Sequence, residues 1–451
     1  MSKLSRRNFL GTSTKSMLTV AAGAAVVAGP ARKRVSAASN RVVMGAIGLG
    51  GRGSDLAREF ARHENVEIAY VCDLDESRGG SMPSQINGIQ GKTPKRVNDM
   101  RHIFDDKRVD GVIIATPDNW HALATVWACQ AGKDVYVEKP PSMTVWEGRK
   151  MVEAARKYNR IVQVGTQNRS APYNFSAREY IRSGALGKIG LVKVYNLKSG
   201  GPYTEPEDSP TPDGVDYDMY LGPAPSRPFN RGHFHSGWLK YWAYSCGDIG
   251  GDGVHQLDLA RYLLDIGVPK SVAGYGGNYV FDDDSETPDT ASCTFDYGDF
   301  LMTFEETQWP KYMQKTSGEI RNTDTFPNWP RNATRIEIYG SEQIMYVGRH
   351  GGGWQAIAPD GSVAAEAYGR VPTLDHRDNL LDCMNTRRLP NADIEEGHRS
   401  AVLVHMANIV CRIGGGSFDY DDAAETPIDH PAAAKLMTRE YRDTYAVPEN
   451  V

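Results

Sequence analysis

A glycine-rich segment near the start of the chain has the spacing of a phosphate-binding turn. Gly48, Gly50 and Gly53 follow a strand-like run, Val42–Ile47, and open a helical pattern. The first glycine permits a tight turn, the second lets a pyrophosphate approach the backbone, and the third lets helix and strand pack closely. The helix N-terminus attracts the phosphate charge, so the segment predicts a dinucleotide site. The residues predicted to form it are Gly48, Gly50, Gly51, Arg52 and Gly53.

An acidic residue, Asp73, lies twenty residues after Gly53, at the end of the next strand-like run, Val66–Cys72. A carboxylate in this place accepts hydrogen bonds from the ribose diol of a dinucleotide. The same charge repels the 2′-phosphate of NADP. The sequence therefore predicts NAD as the cofactor and Asp73 as the residue that binds its ribose.

Two further groups of polar residues each follow a strand-like run. They are Thr116, Pro117 and His121 after Val112–Ala115, and Glu138 and Lys139 after Asp134–Val137. Open α/β sheets bind ligands at the carboxyl ends of their strands, so these residues are predicted to line the cofactor site. Lys139 could exchange a proton with a substrate hydroxyl, because burial lowers the pKa of a lysine. Glu138 could orient Lys139; the alternative is a solvated surface lysine.

A histidine and an aspartate lie three residues apart in the second half of the chain. His255 and Asp258 belong to a helical pattern that runs to Leu264, and their spacing puts both on one helix face. Asp258 could then fix the tautomer of the imidazole, and both residues are predicted to be catalytic. The alternative is a helix N-terminal histidine that bonds only to backbone.

Segment 199–235 holds seven prolines. Aromatic and imidazole side chains are frequent in this segment and in the residues that follow it. Aromatic faces stack on the C–H surfaces of sugar rings, while imidazoles bond to hydroxyls. We therefore predict a carbohydrate-binding loop with His235, Tyr241 and Tyr244 as substrate residues. Packing at a domain interface is the alternative.

The order of apolar runs predicts the elements that position these residues. From Asn40 to about Gly165, strand-like runs alternate with helical patterns, which predicts an α/β fold with a parallel sheet covered on both faces. Beyond that point, runs of alternating polarity indicate a mostly antiparallel open sheet with a few helices. The sequence thus predicts a Rossmann dinucleotide-binding domain over residues 39–165 and an α+β domain over residues 166–451.

Composition and charge exclude several classes of protein. The chain has 451 residues, of which 40% are hydrophobic and 24% charged, and this is typical of globular proteins rather than of disordered or collagen-like chains. The first 37 residues hold seven basic residues and no acidic one, so without them the net charge falls by seven, from −5 to −12. Such a balance argues against nucleic acid and anionic bilayers as partners.

The first 38 residues have the pattern of an export signal. Arg6 and Arg7 precede an uncharged stretch at 17–29, which is too short to span a bilayer, and small residues at 36–38 suggest a cleavage site. The pattern resembles a twin-arginine signal, which exports folded proteins. The mature protein is expected to be periplasmic or extracellular, without membrane insertion.

The six cysteines lie far apart, and no C-x-x-C pair occurs among them. This excludes the usual cysteine-rich zinc signatures, and no metal site is predicted. Cys72, Cys129 and Cys411 lie in apolar runs and are expected to be buried free thiols.

Together these motifs resemble the glucose-fructose oxidoreductase/inositol dehydrogenase/rhizopine catabolism (Gfo/Idh/MocA) family. The matching residues are Val43–Gly53, Asp73, Thr116, Pro117, His121, Glu138–Pro140 and Val164–Gln167. The resemblance implies a Rossmann domain, an α+β domain whose open sheet supports contacts between subunits, nicotinamide chemistry on sugars or cyclitols, and a catalytic Lys139. Family members often have an aspartate four residues before the histidine that matches His255, where this chain has Gly251.

Three functions are compatible with these features. The first is an exported NAD-dependent oxidoreductase, in which a ring hydroxyl loses its proton to Lys139, with His255, as hydride passes to the nicotinamide. The second is a glycoside hydrolase that uses NAD catalytically, as the NAD-dependent α-N-acetylgalactosaminidases do. The third is a sugar-binding protein that retains NAD structurally, against which an intact Lys139 argues. We expect tightly bound NAD, a small carbohydrate substrate and a homo-oligomer.

Overall fold

The computed structural model describes residues 41–451, so the predicted export signal lies outside the described residues. Six strands form the first sheet: β1 Val42–Ile47, β2 Val66–Cys72, β3 Lys95–Val97, β4 Gly111–Ile114, β5 Asp134–Val137 and β6 Val162–Val164. All are parallel, in the order β3-β2-β1-β4-β5-β6, which is the strand order of a Rossmann fold. The helices between them are α1 Gly51–Ala61, α2 Met82–Gln90, α3 Arg101–Asp105, α4 His121–Gln130 and α5 Val145–Lys157. The predicted α/β domain is thus confirmed.

Helices cover both faces of this sheet, and for this reason every residue of β4 and β5 is buried. Side chains alternate across the sheet: Val112 and Ile114 enter one hydrophobic cluster and Ile113 enters another. Strands that are buried on both faces have nearly continuous apolar sequences, and the sequence predicted these central strands from their Val and Ile runs. The sequence did not predict β3, a three-residue edge strand with two basic side chains.

The second sheet has ten strands: β7 Ile189–Leu197, β8 Ser271–Gly277, β9 Thr290–Asp296, β10 Leu301–Thr307, β11 Arg335–Gly340, β12 Ile344–Gly348, β13 Trp354–Ile357, β14 Val363–Ala367, β15 Gly416–Asp421 and β16 Thr426–Pro427. Their order is β14-β13-β12-β11-β7-β10-β9-β8-β15-β16. Only β7 and β10 pair in parallel among the described strands of this sheet, and the other neighbours are antiparallel. The predicted mostly antiparallel sheet is confirmed.

Seven α-helices accompany this sheet in the described part of the chain: α6 Pro172–Arg182, α7 Tyr217–Leu221, α8 Val254–Leu264, α9 Gly318–Asn322, α10 Thr373–Thr386, α11 Ile394–Arg412 and α12 Pro431–Ala434. Helix α11 buries 14 of its 19 residues. It packs against α5 of the Rossmann domain as well as against α8 and β8. A helix that is buried on nearly every side therefore joins the two halves.

Late segments of the chain also complete the Rossmann core. Leu380 and Leu381 of α10 pack into the hydrophobic cluster on one face of the parallel sheet. Tyr445 and Val447, close to the end of the sequence, pack into the cluster on the other face. Within residues 41–451, no helix has the length and apolar character needed to cross a bilayer.

Candidate active site

A cavity of about 500 Å³ lies at the carboxyl ends of the parallel strands and is closed from the other side by residues of the second half. It brings together most of the residues predicted from the sequence: Gly48, Gly50, Gly51, Arg52, Gly53, Asp73, Thr116, Pro117, His121, Glu138, Lys139, His235 and His255. The predicted residues Asp258, Tyr241 and Tyr244 lie elsewhere.

The glycine-rich turn leaves a cradle of bare backbone at one end of the cavity. Gly48 has a φ of +83°, and a Cβ there would lie 2.6 Å from the carbonyl oxygen of Ala115. A Cβ on Gly53 would overlap the carbonyl oxygen of Gly48, whereas the space beside Gly51 is open. Helix α1 begins at Gly51 without a side-chain cap, so its first N–H groups can receive a phosphate. The cradle fits a dinucleotide.

Asp73 lies beside this cradle and is almost fully buried. Its two oxygens accept hydrogen bonds from the backbone N–H groups of Leu49, at 2.8 Å, and Asp75, at 3.1 Å. Burial nevertheless raises the pKa of Asp73 above its ordinary value. Each carboxylate oxygen keeps a further acceptor site, and a ribose diol can use both.

Glu138 pairs with Arg52 and not with the side chain of Lys139. The Nε of Arg52 donates to Glu138 Oε1 at 2.9 Å, and the hydroxyl of Tyr136 donates to the same oxygen. Burial favours the protonated acid, but the charges of Arg52 and Lys139 lower the pKa of Glu138. The prediction that Glu138 orients Lys139 is therefore corrected: Glu138 binds Arg52, a residue in the first turn of α1.

Lys139 follows β5, and its Nζ donates to the carbonyl oxygen of Gly251 at 2.5 Å. Gly251 belongs to a π-helical turn, Ile249–Gly253, that leads into α8. A backbone carbonyl thus occupies the position at which the family resemblance leads one to expect an aspartate. The contact ties the Rossmann half to the second half directly at the predicted catalytic amine.

His121 connects the two loops that follow β4 and β5. Its Nδ1 lies 2.7 Å from the carbonyl oxygen of Pro140, and its Nε2 lies 3.0 Å from that of Thr116. The ring therefore holds the loops together. The hydroxyl of Thr116 is buried and has no partner among the described residues, so it is available to a bound cofactor.

Asp118 is a residue that the sequence interpretation passed over, although it lies inside the motif that contains Thr116 and His121. It is buried at the cavity wall and accepts a hydrogen bond from the N–H of Cys246 at 3.2 Å. Burial raises the pKa of Asp118 to about 6, against the opposing charges of His121 and Lys139. A carboxyl group that titrates near neutrality beside Lys139 can take part in proton transfer.

His255 faces the cavity and is 4% exposed. Its Nδ1 has no hydrogen-bond partner among the described residues. Burial, followed by the charges of Arg349 and Lys139, holds the pKa of His255 well below its ordinary value. The ring is therefore neutral at pH 7 and keeps a free nitrogen for a ligand.

Asp258 does not fix the tautomer of His255, and that prediction is corrected. Its Oδ1 accepts hydrogen bonds from Arg169 at 2.8 Å and from the Ser400 hydroxyl at 2.7 Å, in a fully buried cluster. The acid that lies near His255 is Asp252, which forms an ion pair with Arg349 at 2.9 Å. Arg349 itself lines the cavity, and no sequence motif identified it.

The crossing loop, which we define as residues 199–245, reaches back to the Rossmann domain next to Asp73. His235 Nε2 lies 2.7 Å from Asp75 Oδ2, and Arg78 contacts the other ring nitrogen. Burial lowers the pKa of His235, so the neutral ring donates to Asp75 and accepts from Arg78. His235 thus lies at the end of the cavity marked by Asp73 rather than beside Lys139.

Tyr241 and Tyr244 are core residues of the crossing loop and do not line the cavity, which corrects their prediction as substrate residues. Both are buried in an aromatic cluster. The Tyr241 hydroxyl lies 2.6 Å from that of Tyr203, and the Tyr244 ring stacks on His233 at a centroid distance of 5.0 Å. Packing, the alternative interpretation, accounts for these two aromatic residues.

Comparison with known proteins agrees with this architecture. Residues 42–166 match the description "Oxidoreductase family, NAD-binding Rossmann fold", and residues 194–273 match "Oxidoreductase family, C-terminal alpha/beta domain". Two segments of the chain thus resemble, in the same order, the NAD-binding Rossmann domain and the C-terminal domain of the Gfo/Idh/MocA oxidoreductase family.

Individual relatives cover less of the molecule. The rhizopine catabolism protein MocA of Rhizobium meliloti is 33% identical over 36% of this chain and 49% of its own length. Inositol 2-dehydrogenase of Salmonella typhimurium is 31% identical over 36% of this chain and 48% of its own length. The chain spans about half the length of these curated relatives. A levoglucosan dehydrogenase solved with NADH and levoglucosan has 17% identity and a TM-score of 0.61, over 84% of this chain and 99% of its own; it shares the fold.

Proposed function

We propose that the protein oxidises a ring hydroxyl of a sugar, a sugar derivative or a cyclitol, with NAD as its cofactor. One observation supports this proposal most directly: Lys139 and His255 line the same cavity as the glycine cradle and Asp73. Lys139 is hydrogen-bonded to the Gly251 carbonyl, and the Nδ1 of His255 has no hydrogen-bond partner among the described residues. Bound NAD would supply the hydride acceptor. The names of the relatives, an inositol dehydrogenase and a rhizopine catabolism protein, support a substrate of this class.

The residues of the chain divide the work of moving a proton. Lys139 in its amine form accepts the proton of the substrate hydroxyl, and the Gly251 carbonyl holds Nζ in place by accepting one of its hydrogen bonds. His255 is neutral and bonds through its free nitrogen to a hydroxyl, which orients the ring. Ionised Asp118 stabilises Lys139 once the amine has taken up the proton.

Three further features belong to this proposal. The leader with Arg6 and Arg7 supports export of the folded protein to the periplasm or beyond. The contact between His235 of the crossing loop and Asp75, beside Asp73, supports tight retention of NAD. The large open sheet offers a surface for a homo-oligomer, as the family resemblance implies.

Net oxidation is preferred to the redox-neutral glycosidase, because several of the sequence relatives are inositol 2-dehydrogenases. The decisive experiment incubates the purified protein with sugars, cyclitols and nitrophenyl glycosides, with and without added NAD. We expect reduced nicotinamide and an oxidised ring from a sugar or cyclitol. Release of nitrophenol without net reduction of NAD would overturn the proposal in favour of the glycosidase.

A further inference from the structure

We infer that Cys293 and Cys411 form a reactive dithiol, which closes to a disulfide when an oxidising disulfide compound reaches it. Cys293 lies in β9, and Cys411 lies in the last turn of α11, 118 residues further along the chain. Both sulfur atoms pack against strand β8, at glycines that lie two residues apart. This contact is independent of the proposed activity, since neither cysteine lines the cavity that holds Lys139.

Strand β8 is bare where the two thiols pack against it. Gly274 pairs with Cys293 across the β8–β9 ladder, and a Cβ on Gly274 would lie 2.9 Å from the Cys293 sulfur. Gly276 lies two residues along, on the same face, and a Cβ there would overlap the Cys411 sulfur. The two glycines therefore leave room for the pair of sulfur atoms between the sheet and the end of α11.

Access distinguishes Cys411 from the other five cysteines. Cys72, Cys129, Cys246, Cys293 and Cys383 are buried, whereas Cys411 is partly exposed. It lines a surface cavity of about 410 Å³ together with Trp242 and Arg412. The expectation that Cys411 is a buried free thiol is thus corrected: the residue is partly exposed at this surface cavity.

The contact also sets the order of the chemistry. The neighbouring Cys293 thiol lowers the pKa of Cys411, whereas the pKa of Cys293 is raised by Cys411 and by burial. The Cys411 thiolate is therefore the attacking sulfur, because thiol–disulfide exchange proceeds through the thiolate.

Two exchange steps balance the reaction with a disulfide of the form R–S–S–R. In the first, the Cys411 sulfur bonds to one sulfur of the reagent, the S–S bond of the reagent breaks, and R–S⁻ leaves. In the second, Cys293 gives up its proton and attacks the Cys411 sulfur of the mixed disulfide, which releases the second R–S⁻. The two cysteines lose two electrons, the reagent gains them, and two R–SH form.

The bond would connect the sheet to the helix that joins the two halves of the molecule. Helix α11 packs against both α5 and β8, and a Cys293–Cys411 bond would close a loop of 118 residues. Such a cross-link restricts the unfolded chain, so the oxidised protein should melt at a higher temperature than the reduced protein.

The test exposes the native wild-type protein to oxidised glutathione, counts free thiols and maps disulfides by mass spectrometry of peptides. We expect the thiol count to fall by two, a peptide pair that links Cys293 to Cys411, and a melting temperature that drops again on reduction. C293A should instead accumulate glutathione on Cys411, and C411A should lose no thiol. The control C383A should behave as the wild type does.

Two results would overturn the inference. One is a wild-type protein that carries glutathione on Cys411 while Cys293 stays free, since the thiols would then be unable to bond. The other is a thiol count that does not change under native conditions. Because both are read from the wild-type protein, a variant that fails to fold leaves the inference open to refutation.

Discussion

At the scale of single residues, the hydrogen bond of Lys139 to a backbone carbonyl makes its role separable from cofactor binding. We predict that K139M lowers turnover by roughly 10²–10⁴-fold, the contribution of a general acid–base group, and leaves bound NAD in place. The reason is that the glycine cradle and Asp73, rather than Lys139, are placed to hold a dinucleotide. Steady-state kinetics and the NAD content of the purified variant measure the two effects.

The control for this variant is K150M, which removes a lysine that pairs with Glu153 on the surface of α5. It should retain wild-type turnover. A loss of less than about tenfold in K139M on the preferred substrate would remove Lys139 from the proposed proton transfer.

Asp73 is expected to set the choice of cofactor. We predict that D73S weakens the binding of NAD and reduces the difference in affinity between NAD and NADP, because the serine carries no charge to repel a 2′-phosphate. D73N removes the charge and keeps the shape; its amide oxygen can still accept the N–H of Leu49, but the bond from the N–H of Asp75 is lost. Dissociation constants for both dinucleotides give the answer, and a wild-type protein that prefers NADP would show the ribose assignment to be wrong.

The buried carboxyl of Asp118 predicts the acid limb of the pH profile. Its pKa is about 6. Activity should fall as the pH drops through that value, because the protonated acid no longer stabilises protonated Lys139. D118N should lose this limb and have lower activity above pH 6, whereas D360N, at an exposed turn, should keep it. A wild-type profile that is flat between about pH 5 and 7 would contradict the assignment.

The same group makes a signed contribution to stability. The pKa of Asp118 is higher in the folded protein than the ordinary value of 3.8, so the folded chain holds this proton after the unfolded chain has lost it. The free energy of unfolding contributed by Asp118 therefore decreases as the pH rises from about 4 to about 6. Denaturant titrations of wild type and D118N across that window measure the difference.

At the scale of elements, the local sequence pattern predicted secondary structure best where the apolar residues of a strand or helix by themselves indicate that it is buried. The Val and Ile runs of β1, β2, β4 and β5 predicted the parallel sheet, and glycines at fixed spacing predicted the turn after β1. Strands β12 to β14 were not predicted, because they are short and separated by glycine-rich turns. Each of them pairs with the strand next to it in the sequence, so the missing signal is local: the runs of alternating polarity are too short.

Site residues were predicted less well where distant neighbours decide a contact. The spacing of His255 and Asp258 places them on one helix face, but Arg169 and Ser400 reach Asp258 from other elements. Aromatic composition likewise does not distinguish a surface on which a sugar ring stacks from a buried hydrophobic cluster. Tyr244 belongs to such a buried cluster. Tertiary packing, which no local pattern records, decides these cases.

The crossing loop makes a prediction of its own. It is anchored beside Asp73 by the His235–Asp75 contact and by the N–H of Glu76, which donates to the Gly214 carbonyl at 2.9 Å. H235A should therefore release NAD several-fold faster, with little change in the hydride-transfer step. Stopped-flow dissociation and single-turnover rates separate these effects. The control H63A alters a histidine on the surface, and equal release rates in both variants would show that the loop does not retain the cofactor.

At the scale of the whole molecule, the two halves are not independent bodies around a shared cleft. Helix α11 and the Lys139–Gly251 contact join them, and α10 and the last residues of the chain complete the Rossmann core. The cavity can therefore enclose a dinucleotide within one continuous structure.

We predict, on this basis, that NAD stays bound through export and is regenerated within each catalytic cycle. Arg6 and Arg7 suggest a route that carries folded protein across the membrane, and a compartment outside the cytoplasm is expected to supply little free NAD. A dehydrogenase there would stop after one turnover unless a second substrate or an electron acceptor reoxidised the cofactor.

The measurement denatures the purified protein and assays the supernatant for nicotinamide dinucleotide, then follows the native protein without added cofactor. We expect about one dinucleotide per chain, the stoichiometry of a single Rossmann site, and many turnovers when an oxidised sugar or another acceptor is present. H235A should carry less dinucleotide than the wild type, which connects retention to the crossing loop. Wild-type protein that is isolated free of cofactor and works only with millimolar NAD would contradict retention, and the activity would then be that of a dehydrogenase with exchangeable NAD.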